Sequence, residues 1–214
     1  MTGKEGLNVL FDLDGTLTDP GDGFVACVSH ALAKLECRPH ADHEIRRHVG
    51  PPLEETLARL IENRAKIPAA VALYRERYAS LGYLENAVYP GIEEALRALH
   101  SRGMRLFVAT SKPTMYAERI LAHFGLDRFF HRIYGSGLDG TRSNKTQLVR
   151  HILSRESLTR EQTFMVGDRS QDMTAARAHG VHPVGALWGY GSREELAGAG
   201  AAMLCERPAN LHRL

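Results

Sequence analysis

The sequence predicts an α/β protein with a doubly wound parallel sheet and an all-helical segment inserted into it. Three observations carry that prediction. Short apolar runs end in acidic or hydroxyl residues: Leu7–Phe11 at Asp12, Met104–Ala109 at Thr110-Ser111, and Thr163–Val166 at Gly167-Asp168. From Pro90 onward these runs alternate with amphipathic helical patterns, the arrangement that builds a parallel sheet covered on both faces. From about Gly21 to Asn86 the pattern is helical throughout and contains no convincing strand.

The first run, Leu7–Phe11, is a buried strand. Three helical faces follow in the insertion. Phe24, Val28, Ala31, Leu32 and Leu35 share one, Leu53, Leu57, Leu60 and Ile61 another, and Tyr74, Tyr78 and Leu81 a third. Gly50-Pro51-Pro52 breaks the chain between two of them. Past the insertion, Ile92, Ala95, Leu96 and Leu99 follow i, i+3, i+4, i+7 spacing, opened by Pro90-Gly91 and closed by Gly103. Strand Met104–Ala109 comes next, then a helix from Pro113 to Phe124 with Gly125 beyond its end. Strand Thr163–Val166, helix Ser170–His179 and a fourth apolar run, His182–Leu187, complete the readable elements. The tail from Ala199 to Leu214 has little pattern. The expected architecture is Rossmann-like, with residues 1–20 and 87–214 forming the α/β core and residues 21–86 a helical cap.

Composition narrows the function classes. The 214 residues include 27 Lys+Arg and 25 Asp+Glu, a net charge of +2, which does not favour a nucleic acid polymer as partner. No apolar run approaches the roughly 20 residues a membrane helix needs. The first residues, Met1-Thr2-Gly3-Lys4-Glu5-Gly6, do not read as a signal peptide. Cys27, Cys37 and Cys205 are scattered, with no CxxC pair, so neither a disulfide framework nor a zinc site is expected. A cytoplasmic setting fits these features. Oligomeric state is not encoded in any readable feature.

The chemistry gathers at the strand ends. Asp12 and Asp14 are two apart on extended chain, so their carboxylates face one side, at the carboxyl edge where α/β sheets bind ligands. Gly15 lets the chain turn away. Each motif has an ordinary structural reading when taken alone. Asp-x-Asp-Gly can be a turn, Thr110 and Ser111 can cap a helix, Asp172 can complement a helix dipole, and Lys145 can be a solvated lysine. Together they place four acids in one crevice. Two unit charges about 4 Å apart repel by about 4 kcal/mol at an effective dielectric near 20. Such a cluster calls for a cation, and all-oxygen ligands suit Mg²⁺. Thr110, Ser111 and Lys145 then supply what phosphoryl oxygens need, which makes a phosphoryl-transfer site.

The segments Asp12-Leu13-Asp14-Gly15-Thr16, Thr110-Ser111, Lys145 and Gly167-Asp168-Arg169-Ser170-Gln171-Asp172 resemble the four ordered motifs of the haloacid dehalogenase superfamily. The resemblance spans Leu7 to about Leu187. Gly50-Pro51-Pro52-Leu53 and Leu138–Lys145 are most similar to the 5′-nucleotidase-like branch of its phosphoglycolate phosphatase group. The resemblance implies a Mg²⁺-dependent phosphomonoesterase acting on a small phosphorylated metabolite, phosphoglycolate or a nucleoside 5′-monophosphate. It implies Asp12 as the nucleophile that forms an aspartyl-phosphate, and Asp14 as acid and then base. Mg²⁺ is then expected on the Asp12 and Asp168 carboxylates and the Asp14 main-chain carbonyl, with Asp172 behind them. Thr110, Ser111 and Lys145 are expected to hold the phosphoryl group. The cap is expected to close over the core, with Leu17–Gly23 as hinge. Arg46 and Arg47, before Gly50, are candidate contacts for a distal anion of the substrate; a solvated helix end is the ordinary reading of that pair.

Departures from the pattern sort the reactions. The dehalogenases of the superfamily lack the second aspartate, which is present here as Asp14. The phosphonatases also lack it and use a cap lysine that has no counterpart around Leu53. Sugar phosphomutases carry a histidine where this chain has Phe24. A phosphomutase and a non-catalytic phospho-acceptor domain are the alternatives to a phosphatase.

Overall fold

The computed structural model describes residues 6–214. It opens with β1 (Asn8–Phe11) and the two-residue β2 (Thr18–Asp19). Four helices follow: α1 (Gly21–Lys34), α2 (Asp42–Arg46), α3 (Leu53–Leu60) and α4 (Ile67–Arg77). A π-turn over Tyr78–Gly82 leads to β3 (Ala87–Val88). The rest alternates helix and strand: α5 (Ile92–Ser101), β4 (Arg105–Pro113), α6 (Thr114–His123), β5 (Arg132–Ser136) and α7 (Lys145–Arg155). It ends with β6 (Thr163–Gly167), α8 (Ser170–Ala178), β7 (His182–Ala186), α9 (Arg193–Gly198) and β8 (Met203–Cys205). None of the described helices is long and apolar enough to cross a membrane.

The chain divides into two compact units, one of residues up to Thr18 with Val88–Leu214, the other Asp19–Ala87. In the first, six strands pair in parallel in the order β5-β4-β1-β6-β7-β8. The chain runs outward from β1 to one edge, then returns to the other side of β1. The direction of winding therefore reverses between β1 and β6, and a crevice opens there beyond the carboxyl ends of the strands. All four residues of β1 are buried, as a strand covered on both faces requires. Leu10, Phe107, Met165, Leu148 and Ile152 form one wall of the core, bringing β1, β4, β6 and α7 together.

The structure departs from the sequence reading in several places, the short strands β2 and β3 and the exposed Leu81 among them. Strand β4 does not stop at Ala109 but continues through Thr110, Ser111 and Lys112 to Pro113, and α6 starts only at Thr114. The pairing of β4 with β5 is irregular between Ala109 and Pro113, which accommodates a proline at the end of the strand, past the last residue paired with β1. Strands β5 and β8 were not expected. Both flank the central strands, and β8 is three residues long. The first helix of the insertion ends at Lys34, leaving Leu35 at its cap.

In the second unit, α1 buries Phe24, Val28, Ala31 and Leu32. Tyr74 and Tyr78 stack at 5.5 Å, and Phe24 meets Tyr74 edge-on. Arg77 forms a two-pronged pair with Glu85, at 2.6 and 2.9 Å, that ties the end of α4 to the returning chain.

One ion cluster in the first unit has a measurable consequence. The Glu156 side chain is only 8 % exposed, pairs with Arg105 at 3.0 Å, lies 3.5 Å from both Arg132 and His131, and accepts a hydrogen bond from the Tyr134 hydroxyl. The Tyr134 hydroxyl above all, then Arg132, His131 and Arg105, hold its carboxyl below the ordinary glutamate value of 4.5 despite burial. A carboxylate depressed in the folded state stabilises the protein above that value, and the stabilisation is lost as the pH falls through the folded pKa. Glu156→Gln is expected to lower stability at pH 7 by roughly 1–3 kcal/mol. It also flattens the loss of stability below the ordinary glutamate range. Thermal melts of the two proteins between neutral and acid pH check both expectations.

Candidate active site

Asp12 stands one residue beyond β1, and its amide still donates to Val166 O at 2.9 Å, so the sheet itself fixes its position. Beyond it the chain folds into a tight loop. Leu13 O accepts from the amides of Thr16, Leu17 and Thr18 at 3.3, 2.9 and 3.0 Å, and Gly15 N donates to Thr18 O at 2.8 Å. Gly15 has φ +86°, and a Cβ there would overlap the Asp168 carboxylate. A glycine is therefore needed for both the turn and the close approach.

The Asp12 side chain is 9 % exposed, and its Oδ1 accepts from Leu13 N at 2.7 Å and meets Lys145 Nζ at 2.8 Å. Among the described residues no hydrogen bond reaches Asp12 Oδ2. Lys145 is the first residue of α7, where Asn144 caps the helix by accepting from Gln147 N at 3.1 Å. Its buried ammonium has three partners: Asp12 Oδ1, Asp172 Oδ1 at 2.9 Å and Ala109 O at 2.9 Å. Burial alone would lower its pKa, but Asp12 and Asp172 together outweigh it and hold the group protonated above the ordinary lysine range.

Asp14 faces a different cation. Its Oδ2 meets Lys112 Nζ at 2.6 Å, while its Oδ1 is buried without a hydrogen-bond partner among the described residues. Burial raises the Asp14 pKa, and Lys112 opposes the rise. Asp168 is fully buried at the end of β6. Its Oδ1 accepts from the Thr16 hydroxyl at 3.1 Å and its Oδ2 from Tyr190 N at 2.9 Å. Burial first, then the neighbouring Asp12 and Asp172, push it well above the ordinary aspartate value. Asp172 lies in the first turn of α8, where its Oδ2 accepts from Arg169 N at 3.1 Å. Burial raises it too, against the pull of Lys145.

Oxygens of Asp12, Asp168 and Asp172 lie within 4.8 Å of one another. Four carboxylates and two ammonium groups share this crevice, so the acids outnumber the cations beside them. A bound cation offsets that imbalance. A carboxylate donor set and the unpartnered Asp14 Oδ1 fit a hard divalent cation, which takes oxygen ligands. The Asp14 carboxylate itself is turned to Lys112.

The other expected residues fall into place or apart as follows. Thr110 is buried, and its Oγ1 accepts from Lys112 N at 3.1 Å, which fixes the irregular end of β4. Ser111 offers its carbonyl to the Ser136 hydroxyl at 2.9 Å. Neither residue caps a helix, because the strand continues past both. Arg46 pairs with Asp22 and lies 3.5 Å from Asp19 within its own unit, and Arg47 is exposed at the end of α2.

Lys112 was not anticipated. It lies two residues after Thr110, so a strand extended through Ser111 would have placed both on one side. Trp188, Tyr190 and Thr16 were also missed as contributors, because their contacts with the site bridge residues far apart in sequence.

The haloacid dehalogenase-like hydrolase family model matches residues 9–186. The chain is 45% identical over 190 residues to the 5′-nucleotidase of Pseudomonas aeruginosa, covering 88% of this chain and 86% of that one. It is 42% identical over 184 residues to the tyrosine-protein kinase PtkA of Mycobacterium tuberculosis, covering 86% of this chain and 62% of that one. The phosphoglycolate phosphatase of Vibrio cholerae is 26% identical over 200 residues, 89% of this chain and 88% of that one. Among solved structures, a predicted phosphatase from Clostridium acetobutylicum superposes with a TM-score of 0.92 at 36% identity, covering 98% of this chain and 97% of that one.

Proposed function

The chain belongs to the haloacid dehalogenase-like hydrolase family, and from that premise we propose that it is a Mg²⁺-dependent phosphatase of nucleoside 5′-monophosphates. The reaction runs through an aspartyl-phosphate on Asp12. The observation that carries this reading is the division of labour at Asp12. Its Oδ1 is held by Lys145 and Leu13 N, while its Oδ2 has no hydrogen-bond partner among the described residues and is left to attack phosphorus.

In the first half, Asp12 Oδ2 bonds to phosphorus as the phosphorus–oxygen ester bond breaks. Protonated Asp14 gives its proton to the departing oxygen of the nucleoside. Burial favours the protonated form of Asp14, and Lys112 fixes the orientation of the carboxyl. In the second half, Asp14 takes a proton from a water that attacks the phosphorus, and Asp12 leaves as carboxylate. Inorganic phosphate is released and both aspartates return to their starting forms. The hydroxyls of Thr110 and Ser111 hold the phosphoryl oxygens, and Lys145, whose three N–H groups are taken by Asp12, Asp172 and Ala109 O, adds its positive charge beside them. Asp12, Asp168 and the Asp14 main-chain carbonyl would hold Mg²⁺, with Asp172 fixing Lys145 beside them. When bound, the ion neutralises the carboxylate cluster and the charge on the phosphoryl oxygens.

The nucleotide preference rests on 45% identity to a protein named 5′-nucleotidase, against 26% to one named phosphoglycolate phosphatase. A second reading, transfer of the phosphoryl group to a tyrosine instead of water, rests on 42% identity to a protein named tyrosine kinase. Phosphate release from a panel of nucleoside 5′-monophosphates, phosphoglycolate and p-nitrophenyl phosphate separates the readings. The expected result is a kcat/KM for one nucleotide at least about tenfold above phosphoglycolate, a difference of about 1.4 kcal/mol in transition-state binding. The reverse order would reject the nucleotide. Label moving from ATP to tyrosine without steady release of phosphate would favour the second reading, and activity surviving full chelation would reject Mg²⁺.

A further inference from the structure

The loop after β7 carries Leu187-Trp188-Gly189-Tyr190-Gly191, a stretch that the sequence motifs leave without a role. In the structure it lies against both acidic loops. The indole Nε1 of Trp188 donates to Thr16 O at 2.8 Å. Thr16 in turn donates its hydroxyl to Asp168 Oδ1 at 3.1 Å. Two residues along the loop, Tyr190 N donates to Asp168 Oδ2 at 2.9 Å. Asp168 is thus held at each oxygen, once through Thr16 and once directly, and both holds trace to this one loop.

The glycines between these contacts explain the closeness. A Cβ on Gly189 would overlap Gly15 O and the Asp168 side chain, and a Cβ on Gly191 would overlap Asp168 O. The loop can approach the aspartate from both sides only because these two positions carry no side chain. Its far end is fixed independently, since Leu187 N donates to Cys205 O of β8 at 2.9 Å.

We propose that Trp188–Gly191 is a strap that orients the Asp168 carboxylate for metal binding, with Trp188 as a positioning residue acting through Thr16. This rests on the metal reading above. Hydrogen bonds behind a ligand fix its direction, and their loss commonly weakens metal affinity about 10–100-fold. Such a carboxylate pays less to reorganise when the ion arrives than one free to rotate.

The test is calorimetric titration of MgCl₂ into the native protein and into Trp188→Phe, which keeps an aromatic ring and removes the N–H donor. The expected result is a Kd for Mg²⁺ raised about tenfold, in a variant with the native far-ultraviolet circular dichroism. A role in stability alone would lower the metal-free Tm and leave the Kd within about twofold of native. That result would overturn the proposal. A variant too unstable to titrate is replaced by Thr16→Val, which removes the hydroxyl that holds Asp168 Oδ1. Unchanged Mg²⁺ affinity in whichever variants fold overturns it equally. The two levels of the account fail differently: absence of Mg²⁺ binding by the native protein strikes the metal reading, whereas equal binding by native and variants strikes only the strap.

Discussion

Asp12→Asn lowers phosphate release by about 10⁴-fold or more, the scale of loss seen when a catalytic nucleophile is removed. The substitution is close to isosteric, and an amide oxygen can still accept from Leu13 N, as Asp12 Oδ1 does at 2.7 Å. The fold should therefore be unaffected. Stability should not fall either. Asp12 is one of the charges that push Asp168 and Asp172 upward, so its removal relieves repulsion inside the buried cluster. Lys145 loses an ionic partner but keeps Asp172 and Ala109 O. The combination of lost activity and a Tm in metal-free buffer no lower than native is what a group kept for chemistry produces. Phosphate release and thermal melts on the same preparation measure the two sides.

Lys145→Ala is expected to do the opposite to stability. It removes the buried ammonium that joins Asp12, Asp172 and Ala109 O, and leaves two carboxylates facing each other without a cation. Breaking a buried ion pair from one side costs about 3–5 kcal/mol. Catalysis falls as well, by roughly 10²–10³-fold, because the group that holds Asp12 Oδ1 and sets positive charge beside the phosphoryl group is gone. Urea denaturation in metal-free buffer reads the first effect. The double variant Lys145→Ala, Asp172→Asn should recover part of the lost stability, since it removes one of the orphaned charges; strict additivity would contradict the coupling. A Lys145→Ala variant within about 1 kcal/mol of native would show that the ammonium does not balance the carboxylates in the folded protein.

Much of the candidate site was legible because it lies on strands whose apolar runs are continuous. Val9, Leu10 and Phe11 mark β1, and the acids follow at the spacing that puts two side chains on one side. The β4 end was read short because Thr-Ser-Lys-Pro looks like a helix start, whereas pairing with β5 draws it on as strand. Strand β5, Arg132–Ser136, begins with a charge and ends Gly-Ser, a pattern that carries little signal at an edge. The misplaced end of β4 concealed Lys112, and with it the partner of Asp14. Trp188 could not be placed at all from sequence, since its hydrogen bond spans 172 positions and depends on two glycines that admit the loop. Arg46, one of the two arginines read as candidate substrate contacts in the cap, is committed to Asp22 and Asp19, a pairing that sequence spacing of 24 residues does not reveal.

The central claim is that phosphorus is bonded to Asp12 during turnover. Acid quenching of the enzyme during steady-state hydrolysis, followed by borohydride reduction and peptide mass spectrometry, tests it directly. An acyl phosphate is reduced to the alcohol, so the account predicts homoserine at position 12 in protein quenched with substrate and none in protein quenched without it. Phosphate release at full rate with position 12 always recovered as aspartate, or with the reduced residue found at another position, would contradict it.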